Sequence, residues 1–449
     1  MKSVVVYVVV IITCLVGTVT LHYSRGIILH EMKEKARAVT WMEGNDQSDM
    51  ALYPCDERGV ISIEHFIASH PDSFIPCNPR PKHYQYCQMH YLVTWDSKKR
   101  VLERYSKSPY HHSNTDISIV THSSVGRLHY LKDLLERWSG PLSLAIFAKW
   151  SEFSIIEDMM VDIKRSNIRI VLYIVDDRHP IQPNDNCIYH DYNTTEGVSL
   201  VCDRFNASIY PINTLRNLAI NFIDTSHFLN LDMDLWPSYG LYEGLSLIST
   251  FLLNQDRIAF VLPAFQFTPK KRAICKEVEN CFNSLSRYLP KDKPSLLRCM
   301  RNKVCQIANG FLPTHRFVDD DWWTFSTSVQ DLPCIPYAIM EPYTLLKRTE
   351  STPLYDDNFI NYGYNKVQFI DELEYKGYIF KVLTVGFGFD IPHKPSVYAN
   401  MYEESWKVKK VINEDVYKDF LYRLHQEPSR KRQEICNYSS ALLKYKNQF

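Results

Sequence analysis

Asp232 and Asp234 stand one residue apart in residues 228–240, FLNLDMDLWPSYG, directly after an apolar run. Strand side chains two apart point to the same face, so this spacing lets both carboxylates converge on one hard cation. Phe228, Leu229 and Leu231 read as a short buried strand stopped by Pro237 and Gly240. Open α/β sheets bind ligands beyond the C-terminal ends of such strands. The plainer reading is that the aspartates only end a strand in a turn. A phosphatase with an aspartyl nucleophile would want a small hydroxyl residue and a glycine soon after the second aspartate, and Leu235-Trp236-Pro237 supplies neither.

Three other groups carry candidate chemistry. Arg216 and Asn217 lie on a helix opened by Pro211, with Ile212, Leu215, Leu218, Ala219 and Phe222 as its buried stripe. An arginine fork there suits a diphosphate, and a surface ion pair fits the spacing equally well. Thr121 and His122 follow an apolar strand, where they either line a nucleotide pocket or cap the next helix. Asp321, Trp322 and Trp323, within the run 319–323, could bind an acceptor, since sugar rings stack on indole faces and carboxylates bind hydroxyls; tryptophans of the core are the alternative.

These side chains need a scaffold, and the pattern from Asp116 onward supplies one. Residues 117–120, 142–147 and 168–175 read as strands, 127–138 and 155–165 as helices, and Gly140-Pro141 as a break. After Gly240, residues 241–253 read as a helix and 258–262 as another buried strand. Alternating units of this kind predict an α/β fold with a mixed, mainly parallel sheet. No GxGxxG or P-loop sequence occurs, which speaks against a Rossmann dinucleotide or Walker phosphate site. The chain has 51 basic and 51 acidic residues, so no electrostatic case exists for a nucleic-acid partner.

The uncharged run 4–21 is about the length of a membrane-spanning helix, roughly 17 to 25 residues, and no small-residue cleavage site ends it. It reads as a signal anchor after a tail of residues 1–3, with a stem and N-terminal extension over 22–113, a catalytic domain over 114–398 and a helical extension over 399–449. Lys2 on one side and Arg25, Lys33, Lys35 and Arg37 on the other leave the orientation open by charge alone. Glycosylation sequons at Asn193, Asn206 and Asn437, and cysteine usage, point to an oxidising lumen. Cys275, Cys281, Cys299 and Cys305 match no zinc spacing and read as one or two disulfides. Of 12 cysteines, Cys14 lies in the apolar run, so an odd number remains and one is free or pairs between chains, which allows a homo-oligomer or a partner glycosyltransferase.

Several stretches together resemble glycosyltransferase family 49, whose members include β-1,4-glucuronyltransferase and the C-terminal domain of the LARGE enzymes. They are RLHYLKDLLERWSGPLSLAIF (127–147), YPINTLRNLA (210–219), FLNLDMDLWPSYGL (228–241), LPAF (262–265), EPY (341–343) and YDDNFINYGYNKVQFIDEL (355–373). The resemblance implies a GT-A type nucleotide-diphospho-sugar transferase fold, manganese on Asp232 and Asp234, and inverting transfer from a UDP-sugar to a glycan or glycoprotein acceptor. It also implies a Golgi type II membrane protein, which settles the orientation. A carboxylate must take the acceptor proton: Asp356 is the first choice, with Asp357 and Glu341 as alternatives. The family's Phe-x-x-His reads here as Phe387-Gly388-Phe389-Asp390, so Asp390 or His393 stands in for the third metal ligand. Asn358 replaces an arginine usual before the phenylalanine, which leaves glucuronate and N-acetylglucosamine both open as the donated sugar. A degenerate member that binds glycans or assists a partner transferase is the rival.

Overall fold

The computed structural model describes residues 62–70, 74–75, 90–110, 115–175, 177–178, 210–273, 285–308, 313–318, 320–324, 326–336, 339–408, 411–428, 433–434 and 436. The chain divides into two units, residues 1–69 and 70–449. The first contributes one described helix, Ile63–Ser69. The expected anchor over 4–21, all three sequons, Cys275 and Cys281 lie outside the described residues. Among the described residues no helix is long and apolar enough to cross a membrane.

The second unit is built on a large mixed sheet. Its strands are β1 (Phe74–Ile75), β2 (His90–Asp96), β3 (Val101–Arg104), β4 (Ile117–Ser124), β5 (Leu142–Lys149), β6 (Ile168–Val175), β7 (His227–Asn230), β9 (Ile258–Leu262), β12 (Val329–Asp331), β13 (Tyr343–Lys347) and β14 (Ile379–Leu383). Their order is β1-β2-β6-β5-β4-β7-β13-β9-β14-β12, with β3 paired to β2. The centre, β6-β5-β4-β7, is parallel, as alternating strands and helices dictate. The expectation of a mainly parallel sheet fails at both flanks. There β2 runs antiparallel to β6, and β13 is inserted antiparallel between β7 and β9. The α/β class itself is as expected.

A smaller sheet, β11-β10-β15-β8, joins β8 (Leu235–Pro237), β10 (Ala264–Phe267), β11 (Cys305–Ile307) and β15 (Gly388–Asp390). Pro237 does not stop the aspartate strand, as its sequence position suggested. A turn closed by Leu235 N donating to Asp232 O at 2.9 Å redirects the chain into β8, and Pro237 belongs to this edge strand, where a missing N–H costs no ladder bond.

The expected helix over 241–253 is two short ones, Leu241–Ser246 and Thr250–Leu253. The helix opened by Pro211 spans Ile212–Asn221, and its polar residues Asn213, Arg216, Asn217 and Asn221 are as buried as its apolar stripe. A helix buried all round normally carries apolar residues on every side. Here two of the polar residues are satisfied by backbone: Asn213 Nδ2 donates to Asp356 O at 2.9 Å, and Asn217 donates to Tyr355 O at 2.8 Å while accepting from Tyr355 N at 2.9 Å.

Two helices, Val397–Lys407 and Glu414–Gln426, follow the smaller sheet toward the C-terminus. The second buries Val416, Phe420 and Leu424 against Phe359 and Tyr375. A disulfide joins Cys334 to Cys436, and another joins Cys299 to Cys305. Beside the first, Ile335 N donates to Glu434 O at 2.8 Å and Phe380 N to Gln433 Oε1 at 2.9 Å, so residues 433, 434 and 436 are tied to the main body.

Candidate active site

Asp232 and Asp234 leave the C-terminal end of β7 inside a ring of cations. Asp232 accepts from Arg216 Nη2 at 3.0 Å through Oδ1, and from Lys366 Nζ at 3.1 Å and the Tyr343 hydroxyl at 3.0 Å through Oδ2. Asp234 Oδ2 accepts from Arg127 Nη1 at 2.6 Å and faces His393 Nε2 at 2.9 Å. Burial works to raise both carboxyl pKa values. Lys366 and Arg216 hold Asp232 well below the usual range, and His393 and Arg127 do the same for Asp234. Both are therefore ionised at neutral pH. Burial also lowers the His393 pKa, but its bond to Asp234 outweighs this and raises it.

The ring is rigidly backed. Buried Arg216 also donates to Asn213 Oδ1 at 3.1 Å and lies 5.0 Å from the Tyr355 ring centre. Lys366 Nζ sits 4.4 Å from the centre of the Tyr343 ring, and His315 stacks on that ring with centroids 5.5 Å apart and planes 11° from parallel. Thr121 and His122 lie within β4 and not in an exit loop, because the strand continues to Ser124. His122 Nδ1 pairs with the Tyr210 hydroxyl at 2.8 Å. Its Nε2 points at Asp232 Oδ1 from 3.7 Å, too far for a hydrogen bond, and is a buried nitrogen without a partner among the described residues. Burial lowers the His122 pKa and keeps the ring neutral.

The other sequence candidates divide. Asn217 Nδ2 bonds Asp357 Oδ1 at 3.1 Å and the backbone of Tyr355, so it braces the site and does not line it. Asp356 is held by Arg423 Nη2 at 2.6 Å and by Asn358, through backbone N at 2.9 Å and Nδ2 at 2.8 Å, which leaves no free oxygen for a base. Asp357 is exposed. Glu341 lies two residues before Tyr343, and among the described residues its carboxylate makes no hydrogen bond or ion pair. Asp390 is paired with Arg272 at 2.7 Å, not with the aspartate pair, because β15 aligns it with Leu235 of β8. Burial raises its pKa, against the pull of Arg272. His393, three residues on, is the group that reaches Asp234. Trp322 is 0% exposed and donates its indole N–H to Leu383 O at 2.8 Å, so it serves the core and presents no face to a sugar. Trp323, half-buried, packs edge-on to it at 5.0 Å. Asp321 belongs to the same turn, Asp320–Trp323, and its side chain lies outside the described residues.

Arg127, Tyr343 and Lys366 were not singled out from the sequence. Each lies in a stretch that carries the family likeness: Arg127 opens residues 127–147, Tyr343 ends EPY, and Lys366 follows NYGYN.

Among the described residues no group of three or more His, Cys, Asp or Glu side chains is gathered to hold a metal. The donor chemistry nonetheless fits a divalent cation. Asp232 and Asp234 are both ionised and His393 lies 2.9 Å from Asp234, while hydrogen bonds from arginine, lysine and the Tyr343 hydroxyl compete for the carboxylate oxygens.

A sequence family described as "Glycosyl-transferase for dystroglycan" matches residues 116–427. The chain belongs to this glycosyltransferase family. Among its relatives, Xylosyl- and glucuronyltransferase LARGE2s of Danio rerio is 28% identical over 338 residues, which is 74% of this chain and 37% of the relative. Xylosyl- and glucuronyltransferase LARGE1 of Mus musculus is 28% identical over 320 residues, 69% of this chain and 36% of the relative. The chain thus spans little more than a third of the length of these relatives. The Staphylococcus aureus TarS structure, residues 1–349, overlays with a TM-score of 0.33 and 9% identity over 69% of this chain and 72% of that one. As a member of the glycosyltransferase family, the protein is a glycosyltransferase, and every residue of the cation-ringed aspartate site lies inside the matched span.

Proposed function

We propose that this glycosyltransferase moves glucuronate, xylose or N-acetylglucosamine from a UDP-sugar to a glycan acceptor, with inversion, in the Golgi lumen as a type II membrane protein of GT-A fold. The observation that carries this reading is the half-buried, ionised Asp232 and Asp234 encircled by Arg127, Arg216, Lys366 and His393. Such a ring is suited to a diphosphate, because cations in a partly buried site bind an anion far more strongly than they would in water. The glucuronate and xylose options come from the names of the relatives; the dystroglycan in the family's description makes a glycoprotein-borne glycan the acceptor class.

Asp232, Asp234 and His393 would hold a divalent ion such as manganese, which when bound would neutralise charge on the departing diphosphate. Arg127, released from Asp234, would turn its fork to the same phosphates, and Lys366 would follow from Asp232. His122 faces the pair with a neutral, unpartnered nitrogen, ready to accept from or donate to the donor's ribose or phosphate according to tautomer. Glu341, whose carboxylate makes no hydrogen bond or ion pair among the described residues, would take the proton of the attacking acceptor hydroxyl, while Asp356 stays bound to Arg423.

Replacing Asp232 and Asp234 together with alanine should abolish metal-dependent sugar transfer by the purified protein while its circular dichroism is kept; undiminished turnover would overturn the mechanism. A second reading, a glycan-binding accessory protein, is favoured by Arg127 on Asp234 and Arg272 on Asp390. Calorimetry with UDP and manganese separates the two, since an accessory protein would bind neither.

A further inference from the structure

The ion pair of Asp390 with Arg272 stands beside the aspartate site and takes no part in the chemistry described above. β15 carries Asp390 between two neighbours, aligned with Leu235 of β8 on one side and Gln266 of β10 on the other. One residue on, Ile391 N donates to Asp234 O at 3.0 Å, so the backbone itself fixes Asp390 next to the aspartate pair. Its carboxylate is within electrostatic reach of Asp234 and His393. Arg272 ends the short helix Pro269–Arg272 that follows β10. Its Nη1 donates to Asp390 Oδ2 at 2.7 Å and to Oε1 of buried Gln266 at 3.1 Å. Both charged side chains are 26% exposed, so they are open to a ligand in the site.

In α/β sheets a nucleotide sits beyond the C-terminal ends of the parallel strands, here β6-β5-β4-β7. Its diphosphate then meets the aspartates after β7, and the sugar projects past them toward the smaller sheet, which starts at Leu235. The charges on that side decide which sugar fits. Arg127, Arg216, Lys366 and Arg272 each already face a carboxylate. A bound diphosphate draws on Arg127 and Lys366, which leaves Arg272 beside the sugar. A uronate carboxylate reaching Arg272 would share one guanidinium with Asp390 and stand close to Asp234, and like charges in a partly buried site repel strongly. A hydroxyl or acetamido oxygen carries no such cost. Nε and Nη2 of Arg272 make no hydrogen bond among the described residues, and they can donate to a neutral oxygen without bringing in a second negative charge.

We infer that Asp390, by occupying Arg272, makes the site select a donor whose sugar is uncharged, and that glucuronate is excluded. This rests on the sugar-transfer reading above and narrows it. Arg272 contacts the sugar, and Asp390 acts on specificity through Arg272.

The test uses the full chain with manganese and two donors that differ only at C6: UDP-glucose with a hydroxymethyl group and UDP-glucuronate with a carboxylate. Calorimetry gives the affinity of each, and of UDP. Wild type should bind UDP-glucuronate at least about tenfold more weakly than UDP-glucose. Asp390→Asn keeps the shape and removes the charge, and should shift the ratio toward UDP-glucuronate by about tenfold, the scale of one charge-assisted hydrogen bond. Adding Arg272→Gln to that variant should take the gain away. The ratio cancels any general effect on nucleotide binding, and a merely structural ion pair would leave it unmoved. Failure of wild type to bind UDP would sink the donor reading first. With UDP bound normally, the inference is overturned if wild type binds UDP-glucuronate as well as UDP-glucose, if Asp390→Asn leaves the ratio unchanged, or if the double variant keeps the gain. The wild-type comparison decides even where a variant does not fold.

Discussion

Arg127 Nη1 lies 2.6 Å from Asp234 Oδ2, the same oxygen that His393 approaches at 2.9 Å. An arginine thus stands where a third ligand would need room beside the carboxylate. Removing it leaves that oxygen to His393 alone. Arg127→Ala is expected to bind manganese alone about tenfold more tightly, as one charge-assisted hydrogen bond of roughly 1.5 to 3 kcal/mol no longer competes. The same variant should bind UDP more weakly, having lost a phosphate fork. Calorimetry of each ligand separately checks both signs, and a fall in both affinities would show that Arg127 only braces the site.

The two carboxylates proposed for proton transfer differ in their engagement. Glu341→Gln should lower kcat by about a hundredfold or more with UDP affinity intact, as expected for loss of a general base. Asp356→Asn should act mainly on stability, because Arg423 and Asn358 use both of its oxygens. Steady-state kinetics beside thermal melts distinguish them; an equal loss of kcat in both variants would return Asp356 to the mechanism.

His315 is buried against Tyr343, and burial pushes its pKa down to about 3, with Lys366 adding to the shift. The folded protein therefore keeps this ring neutral while the unfolded chain protonates it near its ordinary value of about 6.5. Protons then favour unfolding, so stability is complete above that value and falls as pH falls toward the folded pKa. From pH 7.5 to 5 the loss should come to about 2 kcal/mol. Denaturant titrations of wild type and His315→Phe at the two pH values test this: the variant should lack that part of the slope.

Cys334 and Cys436 are 102 residues apart in sequence. A cross-link over so long a loop limits the unfolded chain strongly, and its loss should cost about 2 to 4 kcal/mol. Cys436→Ser should lower the melting temperature, with Phe420 and Leu424 the region to lose amide protection first in hydrogen exchange.

The aspartate strand and the arginine helix were legible because both signals are local: an apolar run ending in two acids, and proline before a periodic stripe. What closes around them was not. Arg127 meets Asp234 across 107 positions and Lys366 meets Asp232 across 134, and no periodicity links residues so distant. At Trp322 the sequence left a sugar platform and a core indole both open, and only the bond of its N–H to Leu383 O decides for the core. The parallel pattern extended too far for a similar reason, as nothing in residues 343–347 announces a strand inserted backwards between two others. Among Asp356, Asp357 and Glu341 the proposal favours the carboxylate that no described side chain holds, and that is a long-range property which local sequence does not carry.

Buried Asn413, at the start of the helix Glu414–Gln426, reaches across about fifty positions to hold the turn at Ile360 and Gly363. That turn leads directly into Lys366, the cation on Asp232. A change in the approach to the C-terminal helix would therefore be felt at the charged site with every charged residue left as it is.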